Sequence, residues 1–157
     1  MRGKILIVED YADWRDLLSG MLQREGHDVE SAATLEEACN ALGARKDLDL
    51  AILDIRLVET DDTNQDGMRL LAEIRANHQF TRVIMITGHG TMETQRKAFR
   101  EFRAFDFFRK EQFDSDEFRR AVTEAVEEAA RDRQRNKDQN YMLGHRFERW
   151  QREKPSS

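Results

Sequence analysis

The sequence predicts an α/β domain with a doubly wound, five-stranded parallel sheet and helices on both faces. Five short apolar segments alternate with five longer segments in which apolar residues recur at helical spacing, as in parallel α/β sheets. Several of the short segments are continuously apolar, as strands buried on both faces are. Polar residues follow these strands at their carboxyl ends, the edge at which such sheets bind ligands. The 157 residues suffice for one domain of ordinary size.

The first half of the chain predicts three strands separated by two helices. The first and third strands are continuous apolar runs that end in acids, whereas the second is weakly apolar. The first helix has Asp13 as its predicted N-cap and is followed by Gly26, a residue type favoured just after a helix. The second begins at Thr34, with Glu37 three residues later in the capping-box pattern. The predicted strands are 4–8, 28–32 and 48–53, and the helices are 13–25 and 34–43.

The second half predicts three helices and two strands after a surface loop. The loop, residues 56–66, is polar and has no apolar periodicity. The last helix is capped by Asp114 or Ser115 and has an apolar face that ends at Ala129. The other predicted segments are helices at 67–77 and 91–102 and strands at 82–87 and 104–108.

Composition and charge exclude several classes of protein. A net charge of −5 argues against a dedicated nucleic-acid binder. The single cysteine, Cys39, excludes an intramolecular disulfide and a thiolate metal site. No apolar run approaches the roughly 20 residues of a membrane span, and the amino terminus lacks the pattern of a signal peptide. We therefore expect a cytoplasmic protein that contacts neither a membrane nor nucleic acid directly.

Five polar residues follow the predicted strands and are expected to share one crevice: Glu9, Asp10, Asp54, Thr87 and Lys110. Three carboxylates crowded together cost free energy unless a cation neutralises them. A hard divalent ion such as Mg²⁺ prefers oxygen ligands and keeps positions open for water or phosphate oxygens. Lysine offers a point charge to a phosphate, and threonine offers a hydroxyl donor. These groups together indicate a phosphoryl site.

The same residues resemble the receiver domain of two-component response regulators. The resemblance covers about residues 4–130, and it is specific because five elements recur in order at the expected strand ends. It implies a flavodoxin-like strand order 2-1-3-4-5. The elements are Ile5 to Asp10, Asp54, the pair Asp66-Gly67, the pair Thr87-Gly88, and Phe107 to Lys110.

The resemblance also implies a role for each residue. Asp54 would accept a phosphoryl group from a sensor histidine kinase or a phosphotransfer protein. Mg²⁺ would be held by Asp10 directly, by Glu9 through water, by Asp54 and by the backbone carbonyl of Arg56. Thr87 and Lys110 would respond to the phosphoryl group. Phe107 would move inward together with Thr87 and change the surface around the fourth and fifth strands.

The sequence departs from the family pattern in three places. Asp66 follows Asp54 by twelve positions, about five more than usual, and no proline intervenes. Glu111 stands where a proline with a cis peptide bond usually follows the lysine, so we expect either a trans bond with a rearranged loop or a retained cis bond. Arg56 and His89 occupy positions that tune phosphoryl lifetime, which predicts altered autodephosphorylation of unspecified direction.

The predicted function is a phosphorylation-dependent signalling switch and not a turnover enzyme, with a downstream protein target that the sequence does not name. One alternative is a pseudo-receiver that acts as a phosphorylation-independent interaction domain. Another, an aspartyl-phosphate phosphatase, expects a second aspartate two residues after the nucleophile, where Arg56 stands.

The carboxyl-terminal residues are predicted to lie outside the receiver domain, which we place at residues 1–130. Residues 131–157 carry 8 basic and 4 acidic side chains, and the prediction is a charged helical extension or a flexible tail without an output domain. Leu143, Phe147 and Trp150 recur at helical spacing, so a short amphipathic helix that docks on a partner, on a second copy or on the receiver is an alternative to a solvated extension. A homodimer is therefore possible.

Overall fold

A parallel five-stranded sheet with helices on both faces forms the domain in a computed structural model that describes residues 2–56, 64–88 and 91–153. The strand order is β2-β1-β3-β4-β5, as predicted. The strands are β1 (Lys4–Val8), β2 (Asp28–Ala32), β3 (Leu50–Leu53), β4 (Arg82–Thr87) and β5 (Asp106–Arg109). The helices are α1 (Ala12–Arg24), α2 (Leu35–Ala44), α3 (Asp66–Asn77), α4 (Met92–Arg100) and α5 (Ser115–Glu153), and one 3₁₀ turn spans Lys110–Gln112.

The sheet separates two apolar cores because successive side chains of a strand point to opposite faces. Ile5 and Ile7 of β1 pack in one core with residues of α1 and α5. Leu6 and Val8 pack in the other core with residues of α2, α3 and α4. Both faces of the central strands are thus covered, which explains why their sequences are continuously apolar and confirms the doubly wound architecture.

Local capping signals in the sequence predict three of the helix ends. The Thr34 hydroxyl accepts a hydrogen bond from the Glu37 N–H at 3.1 Å, and the Glu37 carboxylate accepts one from the Ala33 N–H at 2.7 Å, as a capping box requires. Gly26 adopts a φ of 91° after α1, a conformation that glycine reaches without steric cost. Asp114 caps α5 by accepting from two backbone N–H groups.

The N-cap prediction for α1 is wrong. Tyr11 occupies that position without a side-chain hydrogen bond, and Asp13 lies in the first turn of the helix. An acidic residue there still interacts favourably with the helix dipole.

The structure also shortens the third strand, which begins at Leu50 instead of Leu48. The Leu48 carbonyl accepts hydrogen bonds from the Thr81 hydroxyl at 2.7 Å and from the Arg133 guanidinium at 3.1 Å. Asp49 accepts from the Lys4 N–H at 2.9 Å through its side chain. These two residues are therefore buried as a connection between segments and not as part of the strand.

Helix α5 continues without interruption past residue 130. The turn that follows residue 130 contacts residues at the amino ends of the strands. Arg133 donates to the Asp49 carboxylate at 2.7 Å, and Asp49 is only 7% exposed. Arg82, the first residue of β4, forms ion pairs with Glu128 and Asp132. These contacts lead us to propose that the folding unit extends to about residue 133, a few residues beyond the predicted boundary.

Truncation tests this boundary. A chain that ends after Lys137 should keep the free energy of unfolding of the full chain, since α5 is largely exposed from Gln134 onward. A chain that ends after Ala130 should lose about 2 kcal/mol, because buried Asp49 and partly buried Arg82 would each lose a charged hydrogen-bond partner. Urea denaturation followed by circular dichroism measures both values. Equal stability of the two truncated chains would contradict the proposal.

Two buried histidines should make stability depend on pH. Burial lowers the pKa of both His27 and His78, and the Gly3 N–H donates to the unprotonated Nδ1 of His27 at 2.9 Å. Below about pH 6.5 the unfolded chain therefore binds more protons than the folded chain, and stability falls as the pH falls, by at most about 1.4 kcal/mol per unit for each histidine. Urea titrations between pH 7 and 5 should show a smaller slope for His27→Gln than for the exposed control His145→Gln. Identical slopes would exclude this origin.

Candidate functional site

The carboxyl ends of β1 and β3 hold two acidic side chains next to each other. Val8 and Leu53 pair in register, and the residues after them continue the ladder. The Glu9 N–H donates to the Ala32 carbonyl and the Asp54 N–H donates to the Val8 carbonyl, each at 3.0 Å. Both acidic side chains are fully buried, at 0% exposure. The backbone of the sheet thus positions them beneath the surface of the crevice.

Three carboxylates converge at this edge. Glu9, Asp10 and Asp54 each offer an oxygen within 4.8 Å of the others. Burial, followed by the hydrogen bond and the negative charge of Asp54, raises the pKa of Glu9 to about 9, although Lys110 acts in the opposite direction. Burial and the neighbouring Asp54 thus favour the neutral form of Glu9 while only side chains surround it.

Lys110 reaches into the same crevice from the end of β5. Its Nζ lies 2.6 Å from Glu9 Oε1 and 3.0 Å from Asp54 Oδ2. Burial alone would lower the Lys110 pKa, but the hydrogen bond to Glu9 and the two carboxylate charges raise it above its usual value. Lys110 is therefore a cation bridging two buried acids.

The bond between Lys110 and Glu111 is trans, as are all peptide bonds among the described residues. Of the two arrangements expected from the missing proline, the structure has the first. The chain turns immediately after β5 into the 3₁₀ turn, and this path still places the ammonium group between Glu9 and Asp54.

The donor set fits a hard divalent cation. Glu9 Oε2 is buried and has no hydrogen-bond partner within the described part of the chain. A buried, unpartnered carboxylate oxygen beside two further carboxylates is costly, and a cation removes that cost. Carboxylate oxygens are the ligands that Mg²⁺ prefers. Arg56 already contacts Asp54, because its backbone N–H donates to Asp54 Oδ1 at 3.2 Å.

Gly67 brings the amino end of α3 into contact with the backbone of the site. Its N–H donates to the Ile55 carbonyl at 2.9 Å. A Cβ at this position would lie 1.9 Å from the Asp54 carbonyl oxygen and 2.6 Å from the Ile55 Cα. Asp66, just before it, is held by a reciprocal pair of hydrogen bonds with Asn64. Only glycine permits so close an approach of α3 to the strand that carries Asp54.

Arg15 and Trp14 also contact the site, and the sequence did not predict either contact. The Arg15 guanidinium donates to the backbone carbonyls of Glu9 and Asp10 at 3.0 and 3.3 Å. The ring centroid of Trp14 lies 5.4 Å from Lys110 Nζ, within the range of a cation–π contact. Sequence alone carries no signal for either contact, because both residues fall within the helical pattern of α1.

The two residues predicted to form the switch lie on neighbouring strands. Thr87 ends β4 and is fully buried. Phe107, on β5, is partly buried, and its ring centroid lies 6.5 Å from that of Phe99 on α4. Thr87 pairs with Arg109 and Phe107 pairs with Met85 in the sheet, and the joint movement of Thr87 and Phe107 stays a prediction. His89 and most of the long loop, residues 57–63, lie outside the described residues.

This fold, with acids and a lysine at the carboxyl edge of the sheet, defines a class of phosphorylation-dependent signalling domains. The family described as the response regulator receiver domain matches residues 5–123. The chain belongs to this family, which confirms the resemblance read from the motifs.

Individual relatives agree with this assignment. The nitrogen assimilation regulatory protein NtrX of Azorhizobium caulinodans is 36% identical over 110 residues, which are 70% of this chain and 23% of that protein. Sporulation initiation phosphotransferase F of Bacillus subtilis is 31% identical over 122 residues, 78% of this chain and 92% of that protein. The solved receiver domain of NtrX from Brucella abortus superposes with a TM-score of 0.68 at 38% identity, over 78% of this chain and 98% of that domain.

The chain spans about a quarter of the NtrX relative and most of the sporulation protein. The family match and the solved receiver domain establish the family and the fold, whereas the roles of the individual residues are proposals. No helix of the described residues combines the length and the apolar character that a membrane span requires.

Proposed function

We propose that Asp54 is the phosphoacceptor of this receiver domain. The observation that supports this most directly is its position: its buried carboxylate contacts Lys110 Nζ at 3.0 Å and the Arg56 N–H at 3.2 Å, beside Glu9 and Asp10. Receiver domains interact with histidine kinases or phosphotransfer proteins, and a phosphohistidine of such a partner would be the donor. The downstream target would be a protein.

The proposed reaction is an in-line transfer. An Asp54 carboxylate oxygen attacks the phosphorus of the phosphohistidine, the P–N bond breaks, and the imidazole leaves with the bonding electron pair and takes up a proton. A carboxylate is a weak nucleophile, so positioning and charge stabilisation must supply the rate. Lys110 is placed to neutralise a phosphoryl oxygen. The domain would catalyse only its own phosphorylation and dephosphorylation, with Arg56 and His89 tuning the lifetime of the product.

Receiver domains generally bind Mg²⁺ at an acidic site, and Glu9, Asp10, Asp54 and the Arg56 carbonyl would hold it here. When bound, the ion supplies further positive charge for the transferred phosphoryl oxygens. Among the chain's own groups, Lys110 bridges Glu9 and Asp54, and the Arg56 N–H orients the Asp54 carboxylate.

The proposed output is a change of surface around β4 and β5. The Thr87 hydroxyl would turn toward the phosphoryl group, and the Phe107 ring would move inward from its position beside Phe99. The phosphoryl group can shift this equilibrium only by its differential interaction with the two states.

We also propose a cytoplasmic location and self-association through α5. The proposed self-association rests on the exposed apolar side chains of Leu143, Phe147 and Trp150. The alternative of a pseudo-receiver has no observation in its favour, since the three acids of the site lie together and Lys110 contacts two of them.

Trp14 fluorescence tests the site in solution. The chain has two tryptophans, so Trp150→Phe leaves Trp14, beside Lys110, as the single reporter. Mg²⁺ would bind the carboxylates that also contact Lys110 and would therefore change the surroundings of Trp14. We expect a saturable change of Trp14 emission at millimolar Mg²⁺. Acetyl phosphate should then cause a second change.

Two variants in the same background separate the steps. Asp10→Asn should weaken the Mg²⁺ response, and Asp54→Asn should abolish the response to acetyl phosphate. A folded protein whose emission ignores both additions would contradict the proposed site.

A further inference from the structure

A cavity of about 670 Å³ lies at the edge of the sheet opposite the acidic site. Its walls come from the last turn of α3 and the segment after it, and from the segment that follows α4. Both segments precede strands, β4 and β5, so the cavity lies at the amino ends of these strands. Its volume falls within the range of small-molecule sites. The residues that line it are Arg75, Ala76, Asn77, Gln79, Glu101, Phe102 and Arg103.

The cavity contains positive charge that the described part of the chain leaves uncompensated. Arg75 donates one Nη to the Thr81 carbonyl, but its buried Nε has no hydrogen-bond partner among the described residues. Arg103 has neither an ion pair nor a side-chain hydrogen bond to any described residue. Glu101 is the single acid in the lining, and it is exposed.

The positive charge of Arg82, unlike that of Arg75 and Arg103, is compensated by acidic side chains of the described residues. Arg82 forms ion pairs with Glu128 and Asp132. Burial, followed by the positive charges of Arg82 and Arg103, lowers the pKa of Arg75, so its guanidinium group lies in an electropositive environment. An anion in the cavity would relieve this repulsion.

The backbone at Arg103 provides an independent observation. Its φ of 54° lies in the left-handed region, where glycine has no steric penalty and an arginine costs roughly 1–2 kcal/mol. Strained residues of this kind are concentrated at ligand sites. Arg103 thus lines an electropositive cavity in a backbone conformation that residues with a side chain disfavour.

We propose that this cavity binds a small phosphate-bearing anion, held between the guanidinium groups of Arg75 and Arg103. The planar fork of an arginine matches the oxygens of a phosphate, and such charge-assisted pairs are the stronger hydrogen bonds in proteins. The site is separate from the Asp54 crevice and does not depend on the proposed phosphorylation. Its ligand is either free phosphate or the phosphate of a nucleotide, whose nucleoside would face the Asn77 and Gln79 amides and the Phe102 ring.

NMR titration of the full chain tests the site. The arginine Nε–H signals are followed while inorganic phosphate or AMP is added at constant ionic strength, with a chelator present to keep the acidic crevice free of metal. We expect saturable shifts of the Arg75 and Arg103 signals at millimolar ligand. Tighter binding of AMP assigns the site to a nucleotide, and equal affinities assign it to the phosphate group alone.

Arg103→Gly is the informative variant, because glycine suits the backbone conformation and the protein should fold. It should weaken binding by at least about tenfold, the effect of one lost charge-assisted hydrogen bond. The matched control is Arg100→Gln, which removes the same charge from an exposed residue outside the cavity and should leave binding unchanged. The absence of saturable shifts, or equal affinities of the two variants, would overturn the proposal.

Discussion

Gly67→Ala should unfold the domain or lower its free energy of unfolding by about 3 kcal/mol or more. The new methyl group would lie 1.9 Å from the Asp54 carbonyl oxygen and 2.6 Å from both the Asp54 carbonyl carbon and the Ile55 Cα. All three atoms belong to the backbone, so no side chain can rotate away to make room. The methyl group must push α3 away from β3, which breaks the hydrogen bond from the Gly67 N–H to the Ile55 carbonyl.

Gly43→Ala is the matched control for this substitution. Gly43 lies within α2 and is exposed, and a Cβ there meets nothing within 4 Å. Alanine should stabilise the helix by about 0.5–1 kcal/mol, because glycine loses more backbone entropy on folding. Urea denaturation followed by circular dichroism should therefore move the two variants in opposite directions. A Gly67→Ala protein as stable as the natural sequence would refute the close approach of α3 to the strand that holds Asp54.

Lys110→Met should slow phosphorylation by acetyl phosphate by about a hundredfold. Nζ of Lys110 lies 3.0 Å from Asp54 Oδ2, so it is placed beside the oxygens of a phosphoryl group arriving at that carboxylate. A positioned donor of this kind contributes about a hundredfold to a thousandfold when charge develops in a buried site. Methionine keeps most of the side-chain volume and removes the charge. The initial rate of phosphoprotein formation, measured by intact mass, gives the result.

Lys97→Met serves as the control for this experiment. Lys97 is an exposed residue of α4, and its substitution changes the net charge by the same amount. Its rate should stay within twofold or so of the natural sequence, as for a surface position distant from the chemistry. If Lys110→Met retained a similar rate, Lys110 would be an ion-pair partner of the acids in the resting protein and not a participant in the transfer.

Strand positions could be predicted where the pattern is local. Strands β1, β2 and β4 have the predicted bounds, because each is an apolar or alternating segment between recognisable turn or cap residues. The prediction was less accurate where distant contacts determine the backbone. The sequence predicts Leu48 and Asp49 as the start of the third strand, but hydrogen bonds to Thr81, Lys4 and Arg133 hold these two residues in the connection before β3.

The fifth strand shows the same limit. It spans Asp106–Arg109, two residues later at its start than predicted, because α4 ends at Arg100 and the chain then turns through the left-handed Arg103. Left-handed backbone is usually signalled by glycine or asparagine. An arginine in that conformation gives no signal in the sequence, so the prediction extended helix and strand into this turn.

The composition of the crevice could be predicted, but its internal contacts could not. Parallel strands of known order bring their carboxyl ends together, which places Glu9, Asp54 and Thr87 at one edge from topology alone. The position of Lys110 depends on the path of the 3₁₀ turn after β5, for which the missing proline gave two possible backbones. The cation–π contact of Trp14 depends on that same path.

Intact mass spectrometry shows whether Asp54 accepts a phosphoryl group. The full chain is incubated with Mg²⁺ and acetyl phosphate, beside Asp54→Asn and a second receiver domain as a positive control. We predict one phosphoryl adduct on the natural sequence and none on Asp54→Asn or in the presence of a chelator. An adduct that persists on Asp54→Asn would assign the phosphoryl group to another residue and contradict Asp54 as the phosphoacceptor. No adduct on the folded natural chain, while the control is labelled, would contradict it as well and favour the pseudo-receiver.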